Sequence, residues 1–163
     1  MNKNLKLSKV CSQEAYSWLQ NWIKEQHPNA RYNTPVKDRF YTDTTNRQYL
    51  SKWLESVIIK VLKSKGSSPI KANDAGTYRD TSKVVDNVIH KHTIGSGHWT
   101  KAANVSPGRA DIICFYNGAM CNYEVKVGKD IMSLVQKQER SRAILNGEKY
   151  YIITTVDDFL KTI

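Results

Sequence analysis

One stretch of the sequence, residues 109–130, limits the fold more than any other, because it has the pattern of a β-hairpin. β-Branched and aromatic residues on both sides of a short turn favour strands. The turn is Asn117-Gly118, and this pair is the strongest short hairpin signal because both positions accept the positive φ of a type I′ turn. A two-residue turn pairs Tyr116 with Ala119, and every earlier pair keeps the same sum of residue numbers.

This register predicts that Asp111 lies opposite Glu124 and Arg109 opposite Lys126. Because side chains alternate along a strand, Asp111, Glu124 and Lys126 are expected on one face. Opposed carboxylates ~5 Å apart repel each other, by about 3 kcal/mol at an effective dielectric constant of ~20. A cation such as Mg²⁺ or Mn²⁺, which takes hard oxygen ligands, would offset the repulsion. A surface charge cluster with Arg109, Lys126 and Lys129 would offset it too.

Composition narrows the class of partner. The chain has 163 residues, enough for one domain with a real core. Its net charge of +10 suits a polyanion, with nucleic acid ahead of an anionic membrane. No apolar run approaches the ~20 residues that span a bilayer, and the first residues lack the apolar segment of a signal peptide. We therefore expect a cytoplasmic protein without a membrane partner, in the host cytoplasm if it is phage-encoded.

The three cysteines, Cys11, Cys114 and Cys121, have no metal-type spacing. The hairpin register places Cys114 opposite Cys121, on the face away from the two acids. Their position along the strands makes Cys114 and Cys121 core-facing. We expect them to remain thiols, because a disulfide is disfavoured in a reducing cytosol.

Apolar residues at helical spacing predict helices over residues 12–26, 46–65 and 131–145. The second contains one acid in its interior, Glu55, which flanks the apolar stripe and suits either a solvated boundary position or a site. Strands are expected over residues 70–73 and 149–155, the latter in the sheet interior because it is mostly apolar. The resulting fold class is α/β, a mixed sheet flanked by helices. The buried face of the third helix is expected to include Ile131, Leu134, Val135, Ala143 and Leu145.

Residues 74–108 give weaker signals. Val84, Val85, Val88 and Ile89 suggest a short helix, and residues 94–101 suggest a mobile functional loop carrying His98, Trp99 and Lys101. His90, His92 and His98 complete no metal-ligand set, so we interpret them as loop or phosphate-contacting residues.

Several motifs occur together in the C-terminal half: Gly108-Arg-Ala-Asp111, Glu124-Val-Lys126, Gly128-Lys-Asp130, Gln136, and the ending from Asn146 to Phe159. Because it has these motifs in this order, the chain resembles the PD-(D/E)XK nuclease superfamily. Within that superfamily it resembles the VRR-NUC (virus-type replication-repair nuclease) family. The resemblance covers roughly residues 46–160. It implies a restriction-endonuclease-like nuclease domain over residues 46–163, preceded by an N-terminal helical extension over residues 1–45.

The resemblance also assigns roles. It implies that a metal ion is bound by Asp111, Glu124, the backbone carbonyl of Val125 and an acid of the first core helix, here Glu55. Lys126 would orient the attacking water or stabilise the phosphate, and Gln136 would support the site, although the nearby Gln138 competes for that role. The expected nucleic-acid contacts are His98, Trp99, Lys101, Arg109, Lys129 and Lys137.

The expected function is a Mg²⁺- or Mn²⁺-dependent DNA endonuclease, with branched, flap and Holliday-junction DNA as candidate substrates. The resemblance also implies a homodimer. Two alternatives from other classes remain: a non-catalytic DNA-binding module, and a phage or host partner-binding protein on the same fold.

Overall fold

A computed structural model of the chain describes residues 7–28, 50–72 and 108–163, together with the backbone of four short strands between residues 77 and 100. A 3-10 turn at Leu7–Lys9 comes first. The helices and strands then follow in the order α1 (Gln13–Gln26), α2 (Leu50–Ser64), β1 (Ile70–Lys71), β2 (Thr77–Arg79), β3 (Lys83–Asp86), β4 (Lys91–Ile94), β5 (His98–Thr100), β6 (Ile112–Tyr116), β7 (Ala119–Val125), α3 (Leu134–Leu145), β8 (Lys149–Ile153) and α4 (Val156–Leu160).

The main sheet has four strands in the order β1-β6-β7-β8. β1 and β7 both run antiparallel to β6, whereas β8 runs parallel to β7. The parallel pair requires a crossover connection, which α3 provides. The predicted α/β class with a mixed sheet flanked by helices is therefore confirmed. β8 lies at the edge of this sheet among the described strands, so its predicted interior position is wrong.

The predicted hairpin register is confirmed. Tyr116 pairs with Ala119 and Cys114 with Cys121. The turn residues Asn117 and Gly118 have φ values of 47° and 75°, as a type I′ turn requires. The ladder begins at Ile112 and Tyr123, so neither of the two predicted pairs beyond it, Asp111 with Glu124 and Arg109 with Lys126, is part of it. The Lys126 N–H donates instead to the Ile153 carbonyl at 3.0 Å.

The two faces of the sheet differ in chemistry because side chains alternate along each strand. On β7, Cys121, Tyr123 and Val125 face the hydrophobic core. Asn122 and Glu124 project from the other face and are nevertheless buried. The core side is packed by α2, which buries six apolar side chains: Trp53, Leu54, Val57, Ile58, Val61 and Leu62.

Helix α1 belongs to the same hydrophobic core as the sheet, through Ala15, Leu19 and Ile23. The segment before it is joined to the start of α4, because the Val156 N–H donates to the Val10 carbonyl at 2.7 Å. Trp18 and Trp22 stack on each other, with ring centroids 6.5 Å apart. Trp22 also donates its Nε1–H to Ser64 at the end of α2, at 3.1 Å.

The segment before the hairpin corrects another expectation. Val84 and Val85, predicted as helical, lie in β3, which pairs with β4, and β2 pairs with β5 inside the predicted loop. In both ladders the residue numbers of each pair add up to the same total. The pairing of β2 with β5 therefore continues the register of β3 with β4. Val84 and Val85, with Val88 and Ile89 four residues later, have the i, i+4 spacing of a helix stripe but also suit a strand. Their β-branched side chains favour the strand. Residues 29–49, which include the predicted boundary between residues 45 and 46, lie outside the described part of the chain.

The buried face predicted for α3 is largely wrong. Ile131 is 81% exposed, Leu134 77% and Leu145 87%, and only Ala143 of the predicted set is buried. The helix also begins later than expected, at Leu134 with Ser133 as its N-cap. Periodicity identifies an apolar stripe but does not show whether another element covers it.

In the described ranges, no helix is long and apolar enough to cross a membrane.

The same Leu→Ala substitution in α1 and in α3 tests which helix face is packed and which is exposed. Leu19→Ala removes a side chain that is 0% exposed in α1, whereas Leu145→Ala removes one that is 87% exposed in α3. We expect Leu19→Ala to lower the free energy of unfolding by about 3 kcal/mol and Leu145→Ala to change it by less than about 0.5 kcal/mol. Urea denaturation followed by circular dichroism measures both, and equal effects would contradict this assignment of the core.

Candidate active site

Asp111 is held between two strands at the start of β6. Its Oδ2 accepts a hydrogen bond from the Val125 N–H at 2.8 Å. Its backbone carbonyl accepts from the Ala72 N–H at 2.8 Å, just after β1. The backbone of Asp111 is therefore tied to the end of β1, and its carboxylate is tied to the end of β7.

Glu124 of β7 is completely buried, and three donors surround its carboxylate. Oε1 accepts from Gln136 Nε2 at 2.6 Å and from the Lys126 ammonium at 2.8 Å. Oε2 accepts from the Tyr150 hydroxyl at 3.4 Å, a long contact. A buried carboxylate needs such donors, because its desolvation is costly unless charge-assisted hydrogen bonds replace water.

Gln136 reaches Glu124 because the start of α3 fixes its side chain. Its Oε1 accepts from the Ser133 N–H at 2.9 Å, while its own backbone N–H donates to the Ser133 hydroxyl at 3.2 Å. This capping box leaves the Gln136 amide group directed at Glu124. Gln138 is exposed on the outer side of α3. Of the two glutamines, Gln136 is therefore the one that contacts Glu124.

Glu55 of α2 is buried, with 3% exposure, so the interpretation as a solvated boundary residue is wrong. Its Oε1 lies 3.2 Å from the Lys52 ammonium, and its Oε2 lies 2.5 Å from that of Lys71. Glu55 also raises the pKa of Asp111, so the two carboxylates act on each other electrostatically.

The pKa values of both hairpin carboxyls are raised. Burial is the main cause for Asp111, and the hydrogen bond from Val125 and the charge of Lys126 oppose it. Burial also raises the pKa of Glu124, with Asp111 adding repulsion and the Lys126 hydrogen bond opposing. Burial lowers the pKa of Lys126, but its interactions with Glu124 outweigh this and the net shift is upward. Several shifted pKa values in one cluster are typical of functional sites.

The donor set at this end of the sheet fits a hard cation in its chemistry, because two carboxylates that are costly to ionise lie side by side. Asp111 Oδ1 and Glu124 Oε2 are the oxygens least engaged by the hydrogen bonds above. Within the described ranges, however, no three Asp, Glu, His or Cys side chains are grouped closely enough to hold a metal ion. Glu55 is directed at Lys52 and Lys71 instead.

The predicted nucleic-acid contacts are only partly described. Lys129 and Lys137 are exposed next to the site, and Arg109 is half-buried. Arg109 contributes to lowering the pKa of Glu139, after the larger effect of Arg142. His98 and Trp99 belong to β5, for which only the backbone is described, and Lys101 lies outside the described residues.

Three residues at the site were missed by the sequence reasoning: Tyr150, Lys52 and Lys71. Lys52 could have been found, because residues three apart on a helix are neighbours and it precedes Glu55 by one turn. Tyr150 follows from the parallel register of β7 and β8, which puts it on the same face as Glu124. Lys71 required knowledge of how β1 packs against α2.

Comparison with known proteins adds no relative. No family model, no curated protein and no solved structure matches the chain.

Asp111→Asn tests the cost of the buried charges. Because folding raises the pKa of Asp111, its contribution to stability is present below the unfolded pKa and is lost as the pH rises through the folded pKa. In EDTA at about pH 8, the asparagine variant should therefore be more stable than wild type by about 1 kcal/mol. The difference should disappear below about pH 4.

Urea denaturation across this pH range measures the effect, and addition of Mg²⁺ provides the control. A bound ion stabilises the folded state by mass action, so Mg²⁺ should raise the stability of wild type more than that of the variant. A variant that is less stable than wild type at every pH would contradict the assignment.

Proposed function

We propose that this protein is a Mg²⁺- or Mn²⁺-dependent endodeoxyribonuclease with a restriction-endonuclease-like core, similar to the VRR-NUC family. The observation that carries the proposal is that Gln136, Lys126 and Asp111 meet around the buried carboxylate of Glu124. Gln136 and Lys126 contact the same carboxylate oxygen, and Asp111 is held beside it by the neighbouring Val125 N–H. These are the residues that the resemblance selects, and packing alone does not require a buried polar cluster of this kind.

Asp111, Glu124 and the Val125 carbonyl would hold the ion, with Glu55 as a further acid. The ion would supply a bound water of lowered pKa and offset charge on the scissile phosphate. Glu124 would offer mainly Oε2, because its Oε1 already accepts from Gln136 and Lys126. Gln136 would thus act as a positioning residue that fixes which oxygen faces the ion.

Lys126 would contribute a fixed positive charge. It is mostly buried, with 11% of its side chain exposed, and its raised pKa keeps it protonated near neutral pH. A protonated ammonium cannot serve as the base that takes a proton from water. It would instead donate hydrogen bonds to the attacking water or to a phosphate oxygen, where negative charge develops during the reaction.

DNA would be bound mainly through its backbone. The chain carries a net charge of +10, and the exposed Lys129 and Lys137 flank the site. Phosphate contacts of this kind give affinity that falls steeply with salt and little dependence on sequence. Branched, flap and Holliday-junction DNA remain the candidate substrates, and the homodimer implied by the resemblance remains a prediction.

A non-catalytic DNA-binding module on the same fold is the second candidate. One observation favours it: the buried Glu55 is already compensated by two lysines, so its charge does not require a metal ion. Turnover separates the two candidates, since both would bind DNA.

The decisive experiment is cleavage of labelled duplex, flap and four-way-junction DNA in Mg²⁺, in Mn²⁺ and in EDTA. We expect cleavage in either metal and none in EDTA. Glu124→Gln should reduce the rate by roughly 10²–10³-fold, because the amide keeps the shape but loses the charge that binds the ion.

Glu148→Gln is the matched control. Glu148 also accepts a side-chain hydrogen bond, from Asn122 at 2.7 Å, but it is no part of the proposed site. Its activity should remain near that of wild type. Binding of DNA without cleavage of any substrate would move the conclusion to the non-catalytic module.

Tyr150→Phe tests whether the Tyr150 hydroxyl helps to keep Glu124 ionised and able to bind the ion. The Tyr150 hydroxyl donates to Glu124 and lowers the pKa of that carboxyl, against the larger effect of burial. Its removal should shift the rising limb of the pH–rate profile to higher pH, so that the rate at neutral pH falls several-fold while the plateau changes less. Tyr151→Phe is the control, because Tyr151 stacks on Tyr123. An unshifted profile would exclude a role for the Tyr150 hydroxyl.

A further inference from the structure

Glu55 is covered by two ammonium groups on its solvent side. Its side chain is 5% exposed, whereas those of Lys52 and Lys71 are 43% and 38% exposed. The two lysines come from different elements, α2 and β1. The Lys52 ammonium lies 3.2 Å from Oε1 and 3.4 Å from Oε2, and the Lys71 ammonium lies 2.5 Å from Oε2. An ion that takes up Glu55 therefore competes with both ammonium groups for the carboxylate oxygens.

This cluster is electrostatically continuous with the hairpin acids. Burial lowers the pKa of Lys52, but attraction to Glu55 and, more weakly, to Asp111 outweighs it and raises the value. Glu55 in turn raises the pKa of Asp111. We call Glu55, Asp111 and Glu124 the site carboxylates. We call Lys52, Lys71 and Lys126 the site lysines.

The charges of the site carboxylates and the site lysines cancel. Asp130, which is 54% exposed, adds a solvated negative charge 3.5 Å from Lys126. Without an added cation the cluster therefore offers no surplus positive charge to a phosphate. A divalent cation taken up by the carboxylates supplies two positive charges and at the same time competes with the lysines for Glu55.

Lys52 and Lys71 can leave Glu55 at low cost because their ammonium groups are already close to water. Lys126 differs, since it is mostly buried and remains in contact with Glu124. The freed groups stand at the edge of the site, where strand β1 borders β6. Two mobile ammoniums at that edge are suited to the phosphates of a nucleic-acid backbone.

We propose that Lys52 and Lys71 hold Glu55 while no cation is bound, and transfer to the phosphates of a bound DNA strand when a divalent cation takes Glu55. The inference rests on the proposed function, and it adds two phosphate-binding residues and a coupling between the metal and DNA. By linkage, a cation that releases the lysines strengthens DNA binding by the same factor as DNA strengthens cation binding.

The test measures affinity for a short fluorescein-labelled duplex by fluorescence anisotropy, in EDTA and in Ca²⁺ at matched ionic strength. Ca²⁺ takes the same kind of oxygen ligands, and gels run afterwards verify that the DNA is intact. For wild type we expect Ca²⁺ to tighten binding by about tenfold, within the usual range of such couplings.

Lys71→Met should reduce that tightening to about twofold or threefold, because the ion then releases one lysine fewer. Lys161→Met is the matched control: Lys161 is an exposed lysine that lies 3.9 Å from Asp158, in α4. It should keep the full effect of Ca²⁺. Lys71→Gln repeats the test with a polar side chain, and circular dichroism verifies folding.

A double-mutant cycle separates release of Lys71 from a simple loss of negative charge. Glu55→Gln frees both lysines and should tighten DNA binding in EDTA. If the gain comes through Lys71, it should be much smaller in the Lys71→Met background. Additive effects, or full Ca²⁺ tightening in Lys71→Met, would overturn the inference.

Cleavage distinguishes this failure from failure of the proposed function. Metal-dependent cutting by wild type, combined with an unchanged Ca²⁺ effect in Lys71→Met, overturns only the lysine transfer. A Lys71-dependent Ca²⁺ effect without cutting supports the transfer in a non-catalytic DNA-binding module. A wild type that binds no duplex in either condition overturns both.

Discussion

The buried carboxylate of Glu124 constrains the organisation of the C-terminal half. An ionised group with no exposure to water must receive hydrogen bonds from the protein. Here the donors come from the residue that follows β7, from the first turn of α3 and from β8. The crossover that makes β7 and β8 parallel brings these elements together. The topology and the site therefore depend on each other, since another path for α3 would leave Glu124 without Gln136.

The sheet separates two kinds of interior. On its core face, Tyr123 packs against Tyr151 and Phe159, with ring centroids 5.3 and 6.0 Å away. On the other face, the buried Glu124 accepts from polar donors and the buried Asn122 donates to Glu148. The hydrophobic face supplies the stability that lets the opposite face hold charges that burial makes unfavourable. Proteins commonly accept such local costs at functional sites.

How far the sequence predicts this molecule depends on whether a feature is local. The Asn117-Gly118 turn predicts the register, and the register predicts that Asp111, Glu124 and Lys126 share one face. The exposure of Leu134 and Leu145 could not be predicted, because the same apolar stripe is compatible with a covered or an open helix. Tyr150 and Lys71 required the strand order, which is a tertiary property. The hairpin turn and the register beside it were thus predictable, whereas errors about exposure and the site arose where partners come from elsewhere in the chain.

The reactivity of the three buried thiols reports on local opening of the fold. Burial raises the pKa of Cys11 to about 11 and raises those of Cys114 and Cys121 as well. Because the thiolate is the reactive species, all three are shielded twice, by low exposure and by protonation. A thiol reagent can therefore modify the protein only during excursions from the native state. Modification of Cys11 would time the separation of the N-terminal segment from α4, and modification of Cys114 would time the opening of the hairpin itself.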